Sequence, residues 1–296
     1  MDLEGLHHVT AITGDAPRNV DFYARLLGLR FVKKTVNFDD PGVYHLYYGD
    51  ERGTPGSIMT FFEFPGARRG RPGAGMVHTV CWRVGSAEAL GFWEQRLADE
   101  GVAAERRERV LRFDDPEGLT NALVVADAPD EPLVAAAPDV PAEHAIQGFH
   151  GVRAYASDAA VAATEPLLEA LGMQRDDQGR GLAAGAERRG QLKWDAPPPE
   201  PGIEGAGSVH HIAWNAADDA ELAAWRGRVA GAGGTPRRSS TASTSTPSTS
   251  APRPASCSSW PAATSASTPT SRRTRSARRS SSRRSTSTCA SGWSGR

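Results

Sequence analysis

Cysteine is scarce in this chain: three among 296 residues, at Cys81, Cys257 and Cys289. They are too few and too scattered for a disulfide framework, and a reducing cytoplasm is the simplest setting. No apolar run approaches the roughly 20 residues that span a bilayer. The start, Met1-Asp2-Leu3-Glu4-Gly5, lacks the basic and apolar regions of a secretory signal. From Arg237 onward there is no Val, Ile, Leu, Phe, Tyr or Met, and half of those 60 residues are Ser or Thr. Acid is absent there too. Residues 237–296 hold 11 Arg and no Asp, Glu or Lys, which leaves 23 basic against 35 acidic groups upstream, a net of −12 hidden beneath the overall −1. Such a segment cannot bury enough apolar surface to offset chain entropy, so a disordered, low-complexity tail is expected over 237–296. Arg-rich tails often meet nucleic acid. This one lacks the pattern of interleaved aromatics and the scaffold of such a site, so neither a nucleic-acid nor a membrane partner is expected.

The break at Arg237 is abrupt and points to a shifted reading frame in the gene. With GC-rich codons, joining each third base to the next two lets Ser239–Ser250 read Val-Asp-Arg-Phe-Tyr-Phe-His-Ser-Ile-Tyr-Phe-Arg. Ala251–Ser259 then read Ala-Pro-Ala-Gly-Val-Leu-Phe-Glu-Leu, with the glutamate straddling Ser258 and Ser259. The shifted text alternates aromatic and polar residues and ends in a strand-like run; the unshifted text does neither.

What the chain does have is a recurring histidine. Leu6-His7-His8-Val9-Thr10, Val77-His78-Thr79-Val80, Phe149-His150-Gly151-Val152 and Val209-His210-His211-Ile212-Ala213 lie 71, 72 and 60 residues apart, counted between first histidines. A period of this size marks repeated units. Unit one reads as strand His7–Thr13, helix Ala16–Leu27 with Val20, Tyr23, Leu26 and Leu27 on one face, then strands near 30–37, 43–48 and 57–64. Unit two repeats the order from Val77, with helix Ala87–Glu100 turning Leu90, Trp93 and Leu97 inward. Unit three begins at Gly148 with a helix near Ala160–Leu171. Unit four has strand His210–Asn215 and helix Asp219–Ala232 and then stops. The expected class is α+β: tandem βαβββ modules in two domains, the fourth module incomplete. The boundaries are 1–127 for the first domain, 128–147 for a linker rich in Pro, Ala and acids, and 148–236 for the truncated second domain.

Only units one and four double the histidine; units two and three have Thr79 and Gly151 instead. Two imidazoles at matching places in related units are what a shared metal needs, and His8 and His211 are the candidate ligands. Two His and one carboxylate form the facial triad of non-haem Fe(II) oxygenases. Aligned on the final strand, the carboxylate position holds Thr60 in unit one and Ala122 in unit two, and in unit four it falls on the hidden glutamate. Glu63 lies three residues past Thr60, so strand alternation turns it to the other face. His7 and His210 are candidate acids or bases, with a structural role as the alternative. His78 and His150 read as structural, His45 as either pocket or strand residue, and Cys81 as a buried, inert thiol.

These segments, together with Tyr44-His45-Leu46-Tyr47-Tyr48 and Gly53-Thr54-Pro55-Gly56, resemble ring-cleaving dioxygenases of the vicinal oxygen chelate superfamily, closest to the hydroquinone-type branch. The resemblance covers residues 5 to about 233. It implies Fe(II), in some members Mn(II), on His8, His211 and a late Glu, with His7, Thr10 and His210 lining the substrate pocket. It also implies a small aromatic diol and O2 as reactants, and it is compatible with a homo-oligomer. The family's Asp-Arg-x-x-Tyr-Phe region and Gly-Val-Leu-Phe-Glu segment have no counterpart in the unshifted residues. The third ligand is therefore missing from the chain as it stands. The alternatives are a glyoxalase-like lyase or isomerase using Zn(II) or Ni(II), and a non-catalytic small-molecule binder.

Overall fold

The computed structural model describes residues 4–37, 40–175, 181–184, 188–216 and 218–234. The tail 237–296, with the Ser258/Ser259 position, lies outside them. Module one is β1 (Leu6–Thr13), α1 (Ala16–Val20) continuing into a π-helical stretch (Asp21–Leu26), β2 (Arg30–Val36), β3 (Tyr44–Gly49) and β4 (Ile58–Glu63). Module two is β5 (Val77–Val84), α2 (Ala87–Asp99), β6 (Ala104–Arg107), β7 (Val110–Asp114) and β8 (Thr120–Val125). Module three is β9 (Phe149–Tyr155), α3 (Asp158–Ala170), β10 (Gln174–Arg175), β11 (Gly181–Ala184) and β12 (Gly190–Asp195). Module four contributes β13 (Val209–Trp214) and α4 (Asp219–Gly231). The α+β class and the modular order stand as the sequence pattern predicts.

Local chemistry sets the helix starts. Asp15, Ser86, Ser157 and Asp218 each accept a backbone N–H with the side chain at the N-cap, satisfying one orphan donor of the first turn. On α2 the residues Ala89, Leu90, Trp93 and Leu97 are buried, the face the spacing requires. The first helix departs at one position: Val20 is only half-buried and Phe22 is buried instead. Leu27 N–H reaches back five residues to Phe22 C=O at 2.9 Å, and this wider turn brings Phe22 inward beside Tyr23.

The sheets do not follow the order of the modules along the chain. Modules one and two do not share a sheet, and neither do three and four. β1 pairs antiparallel with β13, in a five-stranded sheet ordered β13-β1-β4-β3-β2. β5 pairs antiparallel with β9, in an eight-stranded sheet ordered β10-β11-β12-β9-β5-β8-β7-β6. Pairing is nested, outer module with outer and inner with inner, so each sheet draws strands from both sides of the 128–147 segment. First strands joined edge to edge satisfy each other's backbone groups, and the linker is long enough to allow it.

One contiguous core underlies both sheets, with Trp82, Trp93, Tyr23, Tyr48, Phe61 and Phe149 among its buried side chains. Trp82 stacks on Phe149 across the β5–β9 seam at 4.5 Å. A polar tie crosses from module one to module two. Tyr23 donates its hydroxyl to Asp115 Oδ2 at 3.0 Å, and Asp115 Oδ1 accepts the N–H groups of Glu117 and Leu119. No described helix is long and apolar enough to cross a membrane.

Candidate metal centre

The register of β1 assembles the site. Thr10 faces His211 on β13 on one side and Thr60 on β4 on the other. Residues two apart on a strand share a face, so His8 and Thr10 stand with His211 and Thr60 on one face of the sheet. The start of β1 is fixed by the Gly53–Gly56 loop. Asp50 accepts from the N–H and hydroxyl of Thr54, Gly56 N–H donates to His7 C=O at 3.0 Å, and Gly56 C=O accepts Phe149 N–H at 2.7 Å.

His8 Nε2 lies 3.1 Å from His211 Nε2, the two rings nearly perpendicular at 83°. Behind each ring stands the other member of its doublet. His7 Nδ1 is 2.9 Å from His8 Nδ1, and His210 Nδ1 is 2.8 Å from His211 Nδ1. When the Nδ1 atoms of His8 and His211 donate to these neighbours, the two Nε2 lone pairs point at each other. Such an arrangement repels unless a cation sits at the gap. A proton is disfavoured there: burial holds His211 down to about 4 and, with the neighbouring imidazoles, holds His8 well below its usual value. Two nitrogens each bonded to one ion at 2.0–2.1 Å and held between a right and a tetrahedral angle lie about 2.8–3.4 Å apart. The observed spacing and neutral imidazole donors fit two ligands of a divalent transition metal.

The fit stops at two. Among the described residues no group of three or more His, Cys, Asp or Glu could hold a metal. At the position where a carboxylate was sought in module one, Thr60 instead accepts or donates to Thr10 Oγ1 at 2.7 Å and to His45 Nε2 at 2.8 Å. Glu63 belongs to the opposite face of β4, paired with Tyr44.

The structure also places the candidate residues around this pair. Thr10 is fully buried on the face it shares with His8. His7 is pushed down to about 4 by burial, and its Nε2 is buried without a hydrogen-bond partner. His210 is exposed and packs edge-on to Phe62 at 5.3 Å. His78 is engaged elsewhere, bonded to Asp195 and Thr79 and stacked on Tyr155. Burial lifts the Cys81 thiol to about 11, leaving it protonated and inert at neutral pH.

Tyr47 and Phe62, which the motif reading did not single out, form a wall with His45, for which pocket and strand roles were both open. His45 packs against Phe62 at 4.4 Å with the rings tilted by 45°, and its Nδ1 meets the Tyr47 hydroxyl at 2.9 Å. Burial, His211 and Lys33 hold His45 down to about 3, and burial pushes Tyr47 up to about 12. The signal was period-two alternation: His45 and Tyr47 share one face of β3 while Leu46 and Tyr48 fill the core, and Phe62 shares a face with Thr60.

The family model for the Glyoxalase/Bleomycin resistance protein/Dioxygenase superfamily matches residues 5–123. Across more of the chain, 248 residues are 42% identical to MhqO of Bacillus subtilis (strain 168), covering 79% of this chain and 77% of that one. This chain belongs to that superfamily. MhqE of the same organism is 41% identical over 221 residues, 72% of each chain; both relatives are provisionally named ring-cleaving dioxygenases. The chlorohydroquinone/hydroquinone 1,2-dioxygenase of Sphingobium indicum is 37% identical over 156 residues, half of this chain and 48% of the relative. The crystal structure of a provisionally named dioxygenase from Bacillus subtilis superposes with a TM-score of 0.68 at 39% identity, over 77% of this chain and 75% of that one. Maize glyoxalase I, at 14% identity and a TM-score of 0.55 over 80% of this chain and 84% of that one, shares the superfamily fold alone.

Proposed function

We propose that this chain is built as a metal-dependent, extradiol-type dioxygenase of hydroquinone- or catechol-like diols. His8 and His211 hold Fe(II), or Mn(II) as in some members. The observation that carries the reading is the 3.1 Å approach of two desolvated Nε2 atoms from opposite ends of the sequence. The names of the relatives favour aromatic diols as the substrate class. Bound iron would supply an acid for the diol hydroxyl and a redox partner for O2.

The chain's own residues have distinct tasks. His7 and His210 orient the ligand rings through their Nδ1 contacts, as outer partners of metal-bound histidines do. Phe62 and His45 form an aromatic wall against which a substrate ring can lie. Thr10, Thr60 and Tyr47 fix the His45 ring through a continuous hydrogen-bond chain. His210, with Nδ1 accepting from His211, carries its proton on the exposed Nε2 and offers it as a donor to a substrate oxygen. His7, disfavoured as a base by burial, offers its unpartnered Nε2 as a donor. Across the reaction one ring C–C bond breaks and both atoms of O2 enter the product as a carboxyl and a carbonyl oxygen.

The third ligand in this reading is the glutamate of the shifted frame at Ser258/Ser259. The chain as it stands therefore binds metal weakly, and frame restoration strengthens it. Anaerobic titration with Fe(II), followed by oxygen uptake with hydroquinone, tests both forms. Uptake by the restored chain with loss in His211→Ala supports the reading. An O2-independent lyase or isomerase activity with Zn(II) or Ni(II), or no metal binding by either form, overturns it. Thr60 and Ala122 weigh against the lyase, because such a site draws carboxylates from both partner units.

A further inference from the structure

The eight-stranded sheet carries its own concavity at the place equivalent to the metal centre. It is a cavity of ≈ 270 Å³ over β5, β6, β7, β8, β9 and β12. Strand register lays one row straight across it: Glu105, Arg112, Ala122, Cys81, Gly151 and Gln191. The middle of that row is small. Ala122, Cys81 and Gly151 stand where the other pair has Thr60, Thr10 and His211. A side chain at Gly151 is excluded, since a Cβ there would run into the Gln191 backbone carbonyl. The floor is therefore low and apolar, extended by Val110, Val124 and Val152.

The walls are cationic. Arg107, Arg112, Arg153 and Lys193 line the cavity against a single lining acid, Glu105. Arg107 is paired with Glu105, and Arg153 is paired with Asp195 at the end of β12. Arg112 has no hydrogen-bond or ion-pair partner among the described residues. Burial pushes His150 down to about 4, so it adds no charge at neutral pH. With Thr79 and Gly151 in place of two histidines, this cavity has the wrong donors for a metal and a net positive field for an anion.

We infer that this second cavity binds a small organic monocarboxylate, its carboxylate on Arg112 and its apolar body on the Ala122–Cys81–Gly151 floor. One unpaired guanidinium suits one carboxylate, in the planar bidentate geometry that Arg offers. The volume lies just below the roughly 300–1,000 Å³ of drug-sized ligand pockets, which limits the body to about one ring. The inference does not rest on the metal reading of the first site.

Benzoate is the probe, titrated into the full chain by calorimetry, with benzyl alcohol, acetate and inorganic phosphate as controls. Benzoate is expected to bind with a Kd of about 1 mM or tighter. Arg112→Gln, a change at an exposed side chain, weakens it at least tenfold, and Ala122→Leu, which fills the floor, does the same. His8→Ala with His211→Ala leaves it unchanged, which separates this cavity from the first. Benzyl alcohol and acetate each bind at least tenfold more weakly, because each lacks one half of the match. The inference is overturned by no benzoate binding up to about 10 mM, by unchanged affinity in Arg112→Gln, by loss in the His8/His211 variant, or by phosphate or acetate matching benzoate.

Discussion

The two sheets are variations on one plan. In the eight-stranded sheet both modules are complete, and β5 and β9 are each flanked on both edges. In the five-stranded sheet module one is complete, while among the described residues module four supplies one strand, and β13 has a neighbour only on the β1 side. Position by position, His8, Thr10, Thr60 and His211 in the first become Thr79, Cys81, Ala122 and Gly151 in the second. The backbone geometry is common, and a handful of side chains turns one hollow into a converging imidazole pair and the other into a shallow cationic cup. Fold supplies position and side chains supply chemistry.

The sharpest way to break the comparison is to remove a ligand. His8→Ala or His211→Ala should lower divalent metal affinity by about 100-fold or more, since the described site offers only two donors. Thr79→Ala, at the matching place in the other sheet, should change nothing. Anaerobic titration calorimetry reads both; equal effects would dissolve the distinction. Thr60→Glu should raise affinity by about tenfold, because it places a carboxylate on the shared face.

Acid is the next lever. His7 and His211 are held down to about 4 and His45 to about 3, so the folded state stays neutral where the unfolded chain takes up protons near 6.5. Stability of the metal-free protein should therefore fall from about pH 6.5 toward 4, by about 3 kcal/mol for the most responsive ring. Asp115 has the opposite sign. Burial raises it to about 6 despite its hydrogen bonds, so the folded state binds a proton before the unfolded one does. Its contribution to stability should grow as pH falls from about 6 to 4. Urea midpoints across pH should show a steeper acid loss in Asp115→Asn and a shallower one in His45→Gln. A flat profile in the parent chain would mean that these rings are not desolvated.

Smaller effects sharpen the same contrast. Tyr23→Phe removes one donor to buried Asp115 and should cost about 1–2 kcal/mol in urea unfolding. Thr10→Val breaks the bond to Thr60 and should cost about 1 kcal/mol. Cys81→Val, at the equivalent place with no side-chain hydrogen bond to lose among the described residues, should stay within about 0.5 kcal/mol. A reversed order for that last pair would argue against the equivalence of the two hollows.

Much of the module was legible in the chain. Strand and helix positions followed from periodicity and caps because both are local. The doublets at His7-His8 and His210-His211 stood out because only those repeats carry a second ring. The aromatic wall was harder to see: His45 and Phe62 lie on separate strands, and nothing near either in sequence says that their faces meet. The exchange of Val20 for Phe22 on the first helix needed the i→i+5 bond at Leu27, which a 3.6-residue period does not foresee.

By itself the sequence determined the repeat, the α+β class, the candidate imidazoles and the change of composition at Arg237. Those are matters of spacing and residue type, read within a few turns or strands. The tertiary structure decided which modules share a sheet, and the nested pairing β1 with β13 and β5 with β9 overrode chain order. Edge pairing is a long-range choice, set by which unpaired backbone and which apolar faces can be satisfied together. That choice brings residues 8 and 211 within 3.1 Å across 203 positions of chain.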